Sequence, residues 1–254
     1  MNRRAFVGAL FAPLILACAK EEPNERANAL FVEAMNFLNE ARSLTTEPAD
    51  RAYRNAIIAL DDILSKYPTS NLAVQLSSGQ QIGDFSRSEI EKKLIIQSAS
   101  MRPTLRLGQP IAVLKYKTFI PKAGHLIAYE HPNQSSTFQV FRLIALANER
   151  VQMIGGALHL NGQAVKREQL ADFVETEEDR PTKIKRWRET LPNGETYETL
   201  DLIDNGFYDN TPVHTLAPGQ LFVLADNRDN GTDSRVPAHG YVPYRNVLGR
   251  AIRI

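Results

Sequence analysis

The stretch "QSASMRPTL", residues 97–105, sets two hydroxyl residues, Ser98 and Ser100, beside Met101 and turns the chain at Pro103. A serine hydroxyl is a weak nucleophile until a neighbouring base takes its proton. Whether Ser100 is reactive therefore depends on what the rest of the chain brings to it. "LIIQS" (94–98) leads into the stretch and "PIAVLKY" (110–116) follows it. "HLIAYE" (125–130), "FQVFRLIAL" (138–146), "RVQMIGG" (150–156), "ALHLNG" (157–162) and "QLFVLAD" (220–226) have the same texture. These are short runs rich in β-branched and aromatic residues, bounded by Gly, Pro and Asn, so residues 94–254 read as a mostly antiparallel β domain. Gly155-Gly156 and Asn161-Gly162 are turn signals between such runs, and "LPNGETY" (191–197) carries another Asn-Gly. The highly charged "KREQLADFVETEEDRPTKIKRWRE" (166–189) reads as part of an exposed insertion covering about residues 166–215.

Upstream the pattern is helical. After a polar "KEEPNER" (20–26), Ala27, Leu30, Phe31, Ala34, Phe37, Leu38, Ala41 and Leu44 form an apolar stripe at helix period. "TTEPAD" (45–50) interrupts it, and Tyr53, Ala56, Ile57, Leu60, Ile63, Leu64 and Tyr67 repeat it up to Pro68. Residues 24–93 thus read as a helical hairpin segment, and "AIIALDDILSKYPTSNLA" resembles tetratricopeptide-like hairpins. A spacer and a partner-binding module both fit. Ser86 and Glu89 look like a capping box opening one more short helix. The fold class expected is α+β.

The chain has 254 residues, 43% of them hydrophobic, enough for one large domain or two modest ones. Its net charge of +1 gives no electrostatic reason to expect nucleic acid. Cys18 is the single cysteine, which excludes an intramolecular disulfide and a thiolate metal cluster, and the five histidines lack ligand spacing. No metal or cofactor is expected. Arg3 and Arg4 precede the uncharged "AFVGALFAPLILA" (5–17), too short to span a bilayer as a helix, so residues 1–18 read as a signal peptide. "ILAC" ending at Cys18 resembles a bacterial lipobox, whose cysteine is lipidated. An ordinary cleaved signal and a short anchor remain open. With a lipid, the protein would be exported and tethered on the periplasmic side of a membrane.

Three stretches resemble bacterial type I signal peptidases, membrane-associated serine endopeptidases that remove signal peptides. "SASMRPTL" (98–105) resembles their nucleophile box, with Ser100 as nucleophile and Ser98 helping to form the oxyanion hole. "GALHLNGQAV" (156–165) resembles a family hairpin. "APGQLFVLADNRDNGTDSRVPAHGYVPYRNVLGRA" (217–251) follows the family's C-terminal box, and the resemblance implies that Asp226 and Asp233 hold Arg228 and Arg235 in a structural ion-pair network. The family fold is a mostly β catalytic domain with a smaller β insertion.

The resemblance also implies a Ser/Lys dyad, in which a buried neutral lysine takes the serine proton. In "FQVFRLIALANE" (138–149), Arg142, Leu143, Ile144 and Leu146 keep the family pattern, but Phe141 occupies the lysine position. Gly231 stands where the family places a serine that orients the lysine. Gln109 and His125 replace acidic residues, Ala225 replaces the glycine before "DNR", and "ANE" replaces "PGD". Lys115 and Lys117 follow the nucleophile box where basic residues have no catalytic role, and the histidines read as surface or turn residues. The expectation is a catalytically impaired relative that still binds extended, signal-like peptides. The alternatives are an active peptidase drawing its base from elsewhere and an interaction scaffold acting through the helical segment.

Overall fold

In a computed structural model of the chain, the structure describes residues 22–44, 46–86, 90–115, 121–175 and 181–254. The leader with Cys18, and Lys117, lie outside the described residues. Helices α1 (Pro23–Ser43) and α2 (Thr46–Lys66) form the expected hairpin, and α3 (Asn71–Ser78) packs against both. Helix α1 begins inside the polar "KEEPNER" run, because Pro23 lacks an N–H only where a first turn needs none. The same reasoning puts Pro48 in the opening turn of α2, so "TTEPAD" is mostly helix and the break is shorter than its composition suggests. Helix α3 is bounded by Ser70, whose Oγ accepts from the Ala73 N–H at 3.1 Å, and Gly79, which closes the helix at φ 72°.

The capping box expected at Ser86 and Glu89 runs through residues 87–89, which lie outside the described residues. The residues beyond it form strand β1 (Ile90–Ile95), paired with β2 (Pro110–Leu114). Chain order continues with β3 (Leu126–Glu130), β4 (Phe138–Ala145), β5 (Arg150–Ile154), β6 (Ala157–Leu160) and β7 (Gln163–Ala164). The charged region supplies β8 (Lys166–Gln169), β9 (Phe173–Glu175), β10 (Thr182–Thr190) and β11 (Thr196–Asp201). Last come β12 (His214–Thr215), β13 (Gln220–Leu224), β14 (Val242–Pro243) and β15 (Val247–Arg253).

The main sheet has seven strands in the order β1-β2-β15-β3-β4-β13-β14, paired antiparallel. Strands β12-β5-β6-β7 form a second sheet, and β8, β10 and β11, with β9 against β10, form a third. Strand alternation divides the main sheet between two cores. On one face Ile111, Val113 and Ala251 join Phe141, Leu143 and Val223; on the other Ala112, Leu114 and Ile252 join the helical core of Ala56, Leu60 and Ile63. The helical hairpin is therefore docked on the back of the sheet, and its apolar stripe is buried there. Asp50 pairs with Arg250, and Arg54 Nε donates to the Arg253 carbonyl at 3.1 Å.

Candidate active-site cleft

The front of the main sheet carries a cleft of about 680 Å³. Ser98, Ser100, Phe141 and Gly231, the four site positions assigned from sequence, all line it. The turn bearing Ser100 is fixed by the C-terminal box: the Asn227 N–H donates to the Ser100 carbonyl at 2.9 Å, and Asn227 Nδ2 to the Ala99 carbonyl at 3.3 Å. Ser100 Oγ lies 2.7 Å from Ser98 Oγ, so the two hydroxyls share one hydrogen bond. The Ser100 N–H makes no hydrogen bond to a described residue, which leaves it available as an oxyanion donor.

Among the described residues, no Lys, His, Arg, Asp, Glu, Tyr or Cys side chain lines the cleft. The phenyl ring of Phe141, expected by resemblance at the base position, sits 4% exposed, 6.3 Å from the Tyr129 ring and 6.1 Å from the His239 ring, centroid to centroid. A phenyl ring accepts no proton. Lys115 is exposed beyond the end of β2 and does not line the cleft.

Of the histidines expected at the surface or in turns, His125, His131 and His239 sit at turns but are buried. His125 Nδ1 accepts from the Lys122 N–H at 3.2 Å, and burial, with Arg250, Lys122 and Arg142 nearby, lowers its pKa to about 3. His239 Nδ1 stands 2.7 Å from the Gly240 carbonyl and Nε2 2.9 Å from the Tyr129 hydroxyl. Gln139, which lines the cleft, completes that cluster, with Oε1 3.0 Å from His239 Nε2. His239 is thus packed behind Phe141, outside the cleft lining. Nothing in the sequence marked Gln139 beyond its place two residues before Phe141.

The ion pairs differ in their partners from those inferred by resemblance. Asp233 holds Arg235 with Nη2 at 2.8 Å. Asp226 instead takes Arg142, through Nε at 2.7 Å and Nη2 at 2.6 Å. Arg228 pairs with Glu189 at 2.6 Å. Glu189 belongs to the charged run read as exposed, yet it is 1% exposed, because β10 carries it inward against the C-terminal box. Period-two alternation in "IKRWRE" allowed an inward residue there, but the density of charge concealed it.

Two backbone edges border the cleft. Ile96 bonds through both its groups to the residues just before β2, the N–H to the Gln109 carbonyl at 3.0 Å and the carbonyl from the Gly108 N–H at 2.8 Å. Strand alternation then turns the backbone groups of Ile95 and Gln97 away from β2. Strand β4 pairs with β3 along residues 138–142, but β13 joins it only from Arg142 onward, so residues 139–141 pair with a strand on one side only.

A family model described as "Signal peptidase, peptidase S26" matches residues 83–254. The protein named Signal peptidase I of Rickettsia typhi (strain ATCC VR-144 / Wilmington) is 34% identical over 137 residues, 52% of this chain and 50% of that one. Signal peptidase I of Rickettsia bellii (strain RML369-C) is also 34% identical over 137 residues, 52% of this chain and 46% of that one. The chain spans about half the length of the curated relatives it matches. A signal peptidase I crystal structure from Enterococcus faecalis V583 is 22% identical, covering 53% of this chain and 98% of that chain at a TM-score of 0.31. With the family model matching well over half its length, and that match running from before the Ser100 turn to the C-terminus, the chain belongs to the signal peptidase family, peptidase S26.

Proposed function

We propose that this protein grips extended, signal-like peptides in the Ser100 cleft without hydrolysing them. The observation that carries the reading is the lining itself, which among the described residues sets Ser100 against a second hydroxyl, in a cleft that Phe141 lines and no titratable side chain does. A general base contributes about 10²- to 10⁴-fold to rate, and breaking a tightly coupled catalytic unit costs on the order of 10⁶ in turnover. Ser98 and the Ser100 N–H supply residual stabilisation of an oxyanion, too little for efficient hydrolysis. Binding does not need the missing amine. A peptide adding as a strand uses backbone donors and acceptors, and the outward groups of Ile95, Gln97 and residues 139–141 are of that kind. Phe141 adds apolar floor to such a site. The test is a peptide-binding assay on wild type and Phe141→Asp: a peptide that binds wild type should bind the variant at least roughly tenfold more weakly. Equal binding counts against the reading.

The tether belongs to the same proposal. Among the described residues no helix is long and apolar enough to cross a membrane. Lipidation at Cys18 would hold the chain on the periplasmic side, with the helical hairpin as a brace behind the sheet. Incorporation of labelled palmitate that disappears in Cys18→Ser is the expected result; label retained in that variant contradicts it.

A further inference from the structure

Residues 230–232 are a thin partition. One side faces the Ser100 cleft, and the other faces a second hollow of about 440 Å³ formed with Ile203, Phe207, Tyr208, Arg228, Asp229 and Val236. At the middle of the partition stands Gly231, which borders both spaces.

The far wall is an anchored loop. Asp229 Oδ2 accepts from the Leu202 N–H at 2.8 Å and the Ile203 N–H at 3.0 Å, and the Gly206 N–H donates to Asp209 Oδ2 at 2.8 Å. On this fixed backbone Phe207 is 88% exposed and Ile203 54%, with Tyr208 edge-on to Phe207 at 4.9 Å. Large apolar side chains held out by a fixed loop beside a groove mark a contact surface. The charge around them selects the partner. Asp229 makes no ion pair among the described residues, and the neighbouring cation, Arg228, is committed to Glu189 at 2.6 Å. An uncompensated carboxylate beside aromatic rings repels an anionic lipid surface and attracts a basic group.

We infer that the cleft continues over Gly231 into a second subsite, where Phe207 and Ile203 take a large apolar side chain of the bound peptide and Asp229 takes an adjacent basic one. The inference rests on the peptide-binding reading and adds a sequence preference to it. A peptide of small residues occupies the cleft alone; one carrying a Phe-Arg pair beyond the residues beside Ser100 fills both spaces.

The experiment uses fluorescein-labelled Ala/Ser peptides with a Phe-Arg, Ser-Arg or Phe-Glu pair moved along the sequence, read by anisotropy against the full chain. At one position the Phe-Arg peptide should bind wild type roughly tenfold tighter than either the Ser-Arg or the Phe-Glu peptide. Phe207→Ser should erase the advantage of Phe over Ser without changing affinity for the plain Ala/Ser peptide. Asp229→Asn keeps an oxygen for the Leu202 and Ile203 N–H groups and should erase the advantage of Arg over Glu. Advantages that survive both substitutions overturn the subsite while the cleft reading stands, as does Phe207-dependent binding to lipid vesicles with no peptide preference. Failure of every peptide to bind wild type overturns both.

Discussion

The methyl group of Ala225 fills the space that a side chain at position 231 would need: a Cβ placed on Gly231 falls 2.2 Å from the Ala225 Cβ. The resemblance puts a glycine at the first position and a serine at the second, so the two departures form one coupled exchange. Gly231→Ser alone should therefore overpack the site and destabilise the fold by about 1–3 kcal/mol. Ala225→Gly in the same chain should recover most of that loss. A double-mutant cycle in urea checks this, and additive effects would contradict the contact.

The same contact sets what reactivation requires. Phe141→Lys in the native background should stay inactive, because its amine has no hydroxyl to orient it. The triple variant Phe141→Lys, Ala225→Gly, Gly231→Ser should cleave a signal-peptide substrate measurably above wild type, with the activity abolished by adding Ser100→Ala. Cleavage is followed by mass spectrometry of the products. Activity already present with Phe141→Lys alone would show that position 231 is irrelevant.

The helical hairpin should be inseparable from the β domain in stability. Asp50 and Arg250 are both buried where α2 meets β15. Removing one partner of a buried pair leaves the other charge stranded and costs about 3–5 kcal/mol. Asp50→Ala should shift the single urea transition of the whole chain by that amount. Loss of helix signal alone, with the β domain unaffected, would contradict the shared packing.

Acid should weaken the fold through its buried histidines. Burial, with Arg250, Lys122 and Arg142 nearby, lowers His125 to about 3; burial also lowers His131, His214 and His239. The ordinary value is about 6.5. Below that value the unfolded chain takes up protons that the folded chain refuses, so the stabilisation, complete above about pH 6.5, is lost as pH falls toward the folded values. One such group contributes a slope approaching about 1.4 kcal/mol per pH unit. Urea midpoints should fall between pH 7 and pH 5, less steeply in His125→Asn, whose side-chain oxygen still accepts from the Lys122 N–H. An unchanged slope in that variant would remove His125 from the account.

Sequence made the local turns and the strand series legible, because both are written in short-range chemistry. Gly155 and Gly156 adopt φ of 55° and 76°, Asn161 and Gly162 53° and 85°, and each pair joins adjacent antiparallel strands as its composition implies. What escaped was decided by partners distant in the chain. Ile90–Ile95 is half charged, and only its pairing with β2 places it in the main sheet. Glu189 sits among charges, and only its opposition to Arg228 shows that it is buried. The docking of α2 on the sheet follows from Ala112, Leu114 and Ile252, whose apolarity looked like ordinary strand core until the second face had an occupant. In the site, Phe141 and Gly231 were placed by resemblance to known motifs, whereas the Ala225 contact that couples to Gly231 needed coordinates.

The most direct measurement is intact mass after incubation with a fluorophosphonate, a probe that reports an activated serine hydroxyl. Wild-type protein should gain no mass, since among the described residues Ser100 Oγ has only Ser98 Oγ as its hydrogen-bond partner. A stoichiometric adduct mapped to Ser100 and absent from Ser100→Ala would mean that a base reaches the hydroxyl, and the non-hydrolytic reading would be wrong.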